Sequence, residues 1–152
     1  MEEYTTNEED QQEAARLQTR LRQQQQVSND DVSSQEYQRL PNVSIDKGKH
    51  KYVLISAMTP SGERQHFVVS KKGAAYHRDA AEPFVEALER CGYKSIDIQG
   101  GGRIRFDPQN KTISVYGYSY GFGLADHALS KSVIVQDPRF HDYEVTWSNE
   151  GY

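Results

Sequence analysis

The sequence VYGYSYGFGLADHALS, residues 115–130, decides the fold because it changes from a strand pattern to a turn and then to a helix start within sixteen residues. The valine and tyrosines of VYGYS favour a strand, since β-branched and aromatic residues are enriched there. Gly121 and Gly123 then predict a turn, and Ala125–Ser130 predicts the start of a helix. Backbone N–H groups at a helix start can bind an anion. The stretch is therefore either a phosphate or carboxylate cradle or a tight connection whose glycines solve a packing problem.

Upstream of this stretch the sequence predicts a hairpin and a long helix. Lys51–Met58 and Arg64–Ser70 flank the turn sequence TPSGE, which indicates an antiparallel pair of strands. Lys71–Cys91 carries apolar residues three and four positions apart, as is typical of a helix with one buried face. Pro83 lies inside this segment and predicts a kink or a restart, and Gly92 predicts its end.

Four further strands complete the predicted architecture. They are Lys94–Gln99, Arg103–Phe106, Thr112–Ser119 and Asp142–Ser148. Hairpin-like spacings dominate, and two helices remain to cover the sheet. We therefore predict an α/β fold, a single small domain with a mixed sheet of about six strands and two main helices.

The first 40 residues differ from the rest in composition and charge. They contain nine acidic and four basic residues, whereas residues 41–152 contain thirteen acidic and fourteen basic ones. Glu13–Leu21 is the best candidate for a helix here, but its apolar positions are too few to predict firm packing. We predict a disordered or loosely helical tail over residues 1–40 and a folded domain over residues 41–152. Such a tail is either a solvated extension or a partner-binding or coiled-coil segment.

Composition argues against several functional classes. The near-neutral bulk charge of residues 41–152 argues against a nucleic-acid-binding protein, which needs a strongly basic face, and leaves only a local basic cluster open. Cys91 is the single cysteine, so no disulfide forms within the chain, and no apolar run approaches the roughly 20 residues that span a bilayer. The acidic, polar N-terminus is unlike a secretory signal or a transit peptide. We expect a cytoplasmic monomer that binds neither nucleic acid nor a membrane.

Three residues stand out for their chemistry. His77 suits general acid–base catalysis because histidine titrates near neutrality. Arg103 follows three glycines, where its guanidinium group can bind phosphate or pair with a carboxylate such as Asp107. Ser119 places a hydroxyl group at the end of a predicted strand. No P-loop, HExxH, DxDxDG or nucleophile-elbow motif occurs, so we predict no cofactor and no metal. A structural role for each residue is the alternative.

Six short motifs, taken in order, resemble the protein histidine phosphatase family, which also includes the janus and ocnus proteins. They are KYVLI, AAYHRD, GGGRI, VYGYS, DHALS and DYEVTWSNEGY, beginning at residues 51, 74, 100, 115, 126 and 142. Each motif alone is weak evidence, but the whole series with similar spacing is specific. The resemblance covers residues 41–152 and leaves the tail outside.

The resemblance implies a cofactor-free enzyme that removes phosphate from phosphohistidine in proteins, with some activity on phospholysine. It also implies a small α/β domain with a six-stranded sheet and two helices. His77 matches the family's catalytic histidine, which acts as a general base or as a nucleophile. The phosphate-binding residues that the resemblance implies are Lys51, Arg103, Tyr118, Ser119, Tyr120, Gly121 and His127.

Two positions depart from the family's pattern. Well-known members have an arginine eight residues before the catalytic histidine, where this sequence has Val69. Gly121 stands where the family has alanine, a change that we expect to be harmless. The missing positive charge leaves an alternative function open. It is a catalytically weak or inactive janus-type module that binds phosphorylated proteins.

Overall fold

The computed structural model describes residues 7–25 and 39–150. In these ranges it contains three α-helices, one 3₁₀ turn and six strands. The helices are α1 (Asn7–Gln25), α2 (His77–Arg90) and α3 (His127–Val135), and the 3₁₀ turn covers Pro138–Phe140. The strands are β1 (Val43–Ser44), β2 (Gly48–Met58), β3 (Arg64–Ser70), β4 (Lys94–Asp107), β5 (Thr112–Tyr116) and β6 (Glu144–Trp147).

The strands form one mixed sheet in the order β1-β3-β2-β4-β5-β6. β2 pairs antiparallel with β3 and β4, and β4 pairs antiparallel with β5, whereas the outer pairs β1–β3 and β5–β6 are parallel. β2 lies in the middle, and every residue from Lys51 to Ala57 is buried, as its nearly continuous apolar sequence predicts. The predicted α/β fold with a six-stranded mixed sheet is confirmed.

Helices cover both faces of the sheet, and the alternation of β2 decides which side chain meets which helix. Successive strand residues point to opposite faces. Val53 packs in a core with Leu88 of α2. Tyr52 and Leu54 point the other way and pack in a second core with Ile134 of α3. Residues of the candidate site are therefore divided between two faces of one sheet.

Two of the predicted strands are one strand in the structure. β4 runs without interruption through the three glycines that the sequence analysis treated as a break. The glycines stay in the sheet because the pairing of β2 with β4 shifts register between Leu54 and Ile55, which accommodates one extra residue as a bulge. The sixth strand is instead the short β1, which the sequence analysis did not predict.

α2 begins at His77, six residues later than predicted, and runs to Arg90 without a restart. The Asp79 side chain accepts a hydrogen bond of 3.0 Å from the Tyr76 N–H group, which stabilises the helix start. Pro83 lies on the exposed side, where water can bind the carbonyl group that proline leaves without a donor. His77 is thus the first helical residue, and its N–H group has no partner within the helix.

α1 packs on the domain, which the sequence analysis did not predict. Leu17 and Leu21 are at most 3% exposed and belong to the same core as Val53. The expected helical character of Glu13–Leu21 is present, and its few apolar residues suffice for packing because they lie on one side of the helix. The division of the chain at residue 40 stays a prediction.

Candidate active site

His77 lies at the centre of the candidate site, and its side chain is fully buried. Its Nε2–H group donates a hydrogen bond of 2.9 Å to the Gly102 carbonyl oxygen in β4. Because a carbonyl oxygen only accepts, this bond fixes the ring and, in neutral imidazole, leaves the lone pair on Nδ1. Nδ1 is therefore the nitrogen that can take a proton or attack phosphorus.

The glycines of β4 make room for two histidines. A Cβ atom on Gly101 would lie 3.0 Å from Cδ2 of His77 and 3.1 Å from Cβ of Ser119. A Cβ atom on Gly102 would lie 2.8 Å from Cε1 of His127, on the opposite face of the strand. The GGG sequence is therefore explained by the close approach of neighbouring backbone and of these side chains to a strand, not by a turn.

Ser119 and Gly121 belong to a tight loop after β5. The backbone N–H and C=O groups of Ser119 both pair with Gly123, at 3.1 and 2.8 Å, which closes the loop. Ser119 Oγ accepts a hydrogen bond of 3.0 Å from the Phe122 N–H group. Because Cβ of Ser119 faces Gly101 next to His77, the hydroxyl group lies on the His77 side of the sheet.

An aspartate from α1 occupies the space among these groups. Asp10 is 1% exposed, and its Oδ2 accepts hydrogen bonds from Ser119 Oγ at 3.1 Å and from the Gly121 N–H group at 3.0 Å. Its Oδ1 accepts from the His77 N–H group at 3.3 Å and lies 3.4 Å from His77 Nδ1. The site thus binds one anionic group through a helix N-terminus, a hydroxyl group, a loop amide and a histidine.

These contacts favour the ionised form of Asp10. Burial on its own would raise the pKa of this carboxyl group. The hydrogen bond and charge of His77, together with the backbone N–H groups of Gly121 and His77, outweigh burial and lower the pKa of Asp10 to about 2. The contact with His77 Nδ1 is attractive when that nitrogen carries a proton, so the carboxylate ties up the nitrogen that catalysis would use.

Lys51 and Arg103 lie on the same face of the sheet as His77. They are directly opposite each other in β2 and β4, so their side chains point to one face. Arg103 is two residues beyond Gly101, whose missing Cβ faces His77, and residues two apart in a strand share a face. Both side chains are at most 7% exposed. Two buried cations on this face supply positive charge that suits a phosphoryl group.

Tyr118 and Tyr120 flank Ser119 and are half-buried. Their rings contact each other edge to face, with centroids 5.2 Å apart. This arrangement gives the loop an aromatic wall. The role of both tyrosines in substrate binding stays a prediction.

His127 lies on the opposite face of the sheet from His77. Its Nε2–H group donates to the Gly117 carbonyl oxygen at 2.6 Å, and its Nδ1 accepts from the Tyr52 hydroxyl group at 2.6 Å. Burial lowers the pKa of His127 and outweighs the opposing effects of the Gly117 hydrogen bond and the Asp126 charge. The structure therefore does not bring His127 to the groups around Asp10, and its role in phosphate binding stays a prediction.

The helix start in the 115–130 stretch does not hold the anion. α3 begins at His127, and the Asp126 side chain caps it by accepting a hydrogen bond of 3.1 Å from the Leu129 N–H group. The anionic group, which is the Asp10 carboxylate, lies instead at the start of α2, opposite the loop that carries Ser119. The loop of the predicted anion site is therefore present, but the helix start that faces it belongs to α2 and not to α3.

Comparison with known proteins identifies the family. A family model described as "Janus/Ocnus family (Ocnus)" matches residues 37–144. The chain belongs to the Janus/Ocnus family. The 14 kDa phosphohistidine phosphatase of Sus scrofa is 41% identical over 123 residues, covering 75% of this chain and 94% of that protein. The Homo sapiens protein of the same name is 39% identical over 120 residues, covering 74% and 94%. The sex-regulated protein janus-A of Drosophila yakuba is 35% identical over 114 residues, covering 74% and 82%.

Janus/Ocnus membership confirms the family that the six motifs predicted, but the family match does not include α1. Sequence reasoning missed Asp10 because it lies in a polar segment, 67 residues from His77. One signal could have found it. Asp10, Ala14, Leu17 and Leu21 recur at spacings of four, three and four, which places them on one face of a helix.

The two departures from the Janus/Ocnus pattern both lie near α1. Val69 is 3% exposed in the core that contains Leu17. A Cβ atom on Gly121 would lie 2.5 Å from Cβ of Ala14 and 2.6 Å from the Asp10 carbonyl oxygen. Glycine at 121 leaves the space that α1 occupies, whereas the alanine of the family's pattern would collide with the helix. The expectation that this change is harmless to the site stays a prediction.

Within residues 7–25 and 39–150, no group of three or more His, Cys, Asp or Glu side chains is arranged to hold a metal ion. In the same ranges no helix is long and apolar enough to cross a lipid bilayer.

Proposed function

We propose that this chain is a protein phosphatase that hydrolyses phosphohistidine, and by the same chemistry phospholysine, in proteins. The main support is the bound carboxylate, because His77, Ser119 and Gly121 all contact one anionic group. A phosphoryl group offers similar oxygen acceptors and more negative charge. The names of the pig and human relatives support the same activity.

In the proposed reaction a phosphoryl group replaces the carboxylate of Asp10. Its oxygens accept hydrogen bonds from Ser119 Oγ and from the N–H groups of Gly121 and His77, and Lys51 and Arg103 add positive charge on the same face. Phosphoryl transfer passes through a loose transition state with charge on the equatorial oxygens, so fixed donors of this kind lower the barrier.

His77 then acts through Nδ1 as a general base. The bond from Nε2–H to Gly102 keeps the other proton away from the reaction. Nδ1 takes a proton from a water molecule whose oxygen bonds to phosphorus, while the P–N bond of phosphohistidine breaks and its electron pair stays on the nitrogen of the leaving imidazole. The proton on Nδ1 then passes to that imidazole, which restores neutral His77. The products are inorganic phosphate and histidine, and the proposed reaction is independent of metal ions.

The same geometry allows Nδ1 to attack phosphorus directly, which would give a phosphorylated His77 that water hydrolyses in a second step. The two routes differ in one observable intermediate. The reaction is quenched within milliseconds at alkaline pH, and the enzyme is analysed by peptide mass spectrometry. A phosphate on the peptide that contains His77 indicates a nucleophile, and its absence during turnover indicates a base.

The first prediction tests the assignment of His77. We expect His77→Ala to lose about 10²-fold or more of the rate of phosphate release from phosphorylated polyhistidine, because an acid–base group is removed. The assay contains EDTA, which also tests metal independence. His141→Ala is the matched control, because His141 is exposed in a loop. Wild-type turnover by His77→Ala would show that the assignment is wrong.

A second candidate is a module that binds phosphorylated proteins without hydrolysing them. Two observations favour it, namely the janus-A relatives, whose name states no enzyme activity, and the carboxylate that already fills the site. Tight binding of phosphorylated polyhistidine without phosphate release, in wild type and in a variant that lacks the Asp10 carboxylate, would support the module.

We further propose that the protein acts as a cytoplasmic monomer on phosphohistidine-containing proteins. Cys91 is a free thiol, and a single cysteine is consistent with a reducing compartment. Sedimentation velocity at micromolar concentration tests the oligomeric state.

A further inference from the structure

Asp10 makes the contacts that the proposed function assigns to a phosphoryl group. Four hydrogen-bonding groups from two separate parts of the domain converge on its two oxygens, at 3.0 to 3.4 Å. They come from His77 at the start of α2 and from Ser119 and Gly121 in the loop after β5. A carboxylate that is 1% exposed and contacts all of these groups leaves no room among them for a second anion.

A buried carboxylate beside a catalytic histidine can instead serve to orient it, and the geometry argues against that role here. The ring of His77 is already oriented, because Nε2–H donates to the Gly102 carbonyl oxygen. Asp10 contacts the other nitrogen, Nδ1, which must face water or phosphorus during the reaction. Asp10 therefore blocks the working side of the ring.

We propose that Asp10 is a built-in pseudosubstrate. α1 holds its carboxylate in the phosphoryl site, and the helix must leave before a phosphorylated protein can bind. The inference rests on the proposed function of the same site and adds its regulation, namely autoinhibition by the N-terminal helix.

The backbone of α1, and not only one side chain, stands in the way of substrate. A Cβ atom on Gly121 would lie 2.6 Å from the Asp10 carbonyl oxygen and 2.5 Å from Ala14 Cβ, so helix and loop are in close contact. A phosphohistidine side chain is longer than an aspartate, and the chain that carries it must approach the loop from outside. Rotation of the Asp10 side chain alone would not open that path.

α1 has the properties of a helix that can dock and leave. Its buried side is narrow, consisting of Asp10 and Ala14 near the loop, and Leu17 and Leu21 in the core. Its other side is exposed and mainly polar, at Glu8, Glu9, Gln11, Gln12, Ala15, Arg16, Thr19 and Arg22. The apolar side chains that release of the helix would expose on α1 are therefore Ala14, Leu17 and Leu21, and the exposed side of the helix is already in water.

The ionic contacts between α1 and α2 lie at the edge of the interface. Glu13 pairs with Arg78 at 2.8 Å, and Arg20 pairs with Glu89 at 3.0 Å. These side chains are 21 to 32% exposed, so solvent and salt weaken both pairs. These ion pairs therefore add little to the stability of the docked helix, which rests mainly on the buried Asp10 carboxylate and on Leu17 and Leu21.

The covalent link makes this inhibitor effective. An inhibitory segment on the same chain acts at an effective concentration on the order of millimolar, so even modest intrinsic affinity keeps the site closed. A phosphorylated protein binds in proportion to the fraction of molecules whose site is open. A partner that captures α1 would raise that fraction and activate the enzyme.

The second prediction uses two variants that open the site in different ways. Asp10→Ala removes the carboxylate together with the hydrogen bonds that hold the start of α1 in the site, and Ala14→Gln adds a side chain where α1 meets Gly121, so both variants favour release of the helix. Neither residue contributes to the proposed reaction. With about nine-tenths of wild-type molecules closed, each variant should bind inorganic phosphate roughly 10-fold more tightly and raise kcat/KM for phosphorylated polyhistidine by a similar factor.

The controls are matched in residue type. Glu8→Ala removes a carboxylate from the exposed side of α1, and Ala15→Gln adds the same side chain as Ala14→Gln at an exposed position. Both should behave like wild type. Calorimetric titration with inorganic phosphate gives the affinity, and a thermal scan confirms that each variant is folded.

The two readouts separate failure of the inference from failure of the proposed function. If the two variants bind phosphate more tightly but no protein releases phosphate from the substrate, α1 does occlude the site and the proposed phosphatase activity is wrong. If Asp10→Ala and Ala14→Gln have the same turnover and the same phosphate affinity as wild type, α1 does not occlude the site and the inference is wrong. A loss of kcat in Asp10→Ala at constant phosphate affinity would make Asp10 a positioning residue and would also overturn the proposal.

Discussion

At the scale of single residues, His127 shows how a predicted ligand can become a structural group. Both ring nitrogens are used, one by Gly117 and one by the Tyr52 hydroxyl group, which also lies 3.0 Å from Ser130 Oγ. A neutral ring satisfies this network, because the Gly117 carbonyl oxygen needs a donor and the Tyr52 hydroxyl group then needs an acceptor. Burial holds the pKa of His127 below its usual value near 6.5.

The third prediction follows from that shift. Because the folded-state pKa lies below the unfolded-state value, the stability that His127 contributes is complete above about pH 6.5 and is lost as the pH falls. We expect the free energy of unfolding of wild type to fall more steeply than that of His127→Gln between pH 7.5 and 5, by at most about 1.4 kcal/mol per pH unit. Urea titrations measure both slopes, with His141→Gln as the exposed control. Equal slopes for wild type and His127→Gln would contradict the prediction.

At the scale of elements, β4 carries the site because three of its residues lack side chains. A Cβ atom on Gly101 would lie 2.7 Å from the Tyr52 carbonyl oxygen in β2, so the central pair of strands would have to shift to admit it. The fourth prediction is that Gly101→Ala lowers the free energy of unfolding by about 1–3 kcal/mol, as overpacking does. Urea unfolding measures the change. Gln99→Ala, exposed two residues earlier, should change stability by less than about 0.5 kcal/mol. A Gly101→Ala protein as stable as wild type would show that the strand can yield.

The elements also show what the sequence could and could not predict. The hairpin and the helix after it were predictable because apolar residues recur with a period of two or between three and four. The merging of two strands into β4 was not, because three glycines in a row signal a break locally. The groups that approach these glycines closely, both backbone atoms and the side chains of His77 and His127, come from distant parts of the chain. His77 and Ser119 were found through short motifs. Asp10 was not, because its partners are 67 and 109 residues away.

At the scale of the whole molecule, the N-terminal helix and a bound anion would compete for one set of donors in the domain. Packing of α1 consumes the N–H groups of His77 and Gly121 and the hydroxyl group of Ser119. An anion that uses the same donors can bind only to the open form, so by linkage it must favour release of the helix. The protection of α1 and the affinity for phosphate then both report the equilibrium between the closed and the open form.

The fifth prediction is that inorganic phosphate releases α1 from the domain while it protects the Gly121 amide from exchange. At saturating phosphate we expect faster hydrogen exchange of the amides near Leu17 and Leu21 and slower exchange at Gly121, because the helix leaves and a stronger anion takes its place. Hydrogen-exchange mass spectrometry measures both regions, with sodium chloride at equal ionic strength as the control for screening. α3, which lies on the other face of the sheet, should be unaffected. If α1 keeps its protection while Gly121 gains more, phosphate binds alongside the helix and the two do not compete.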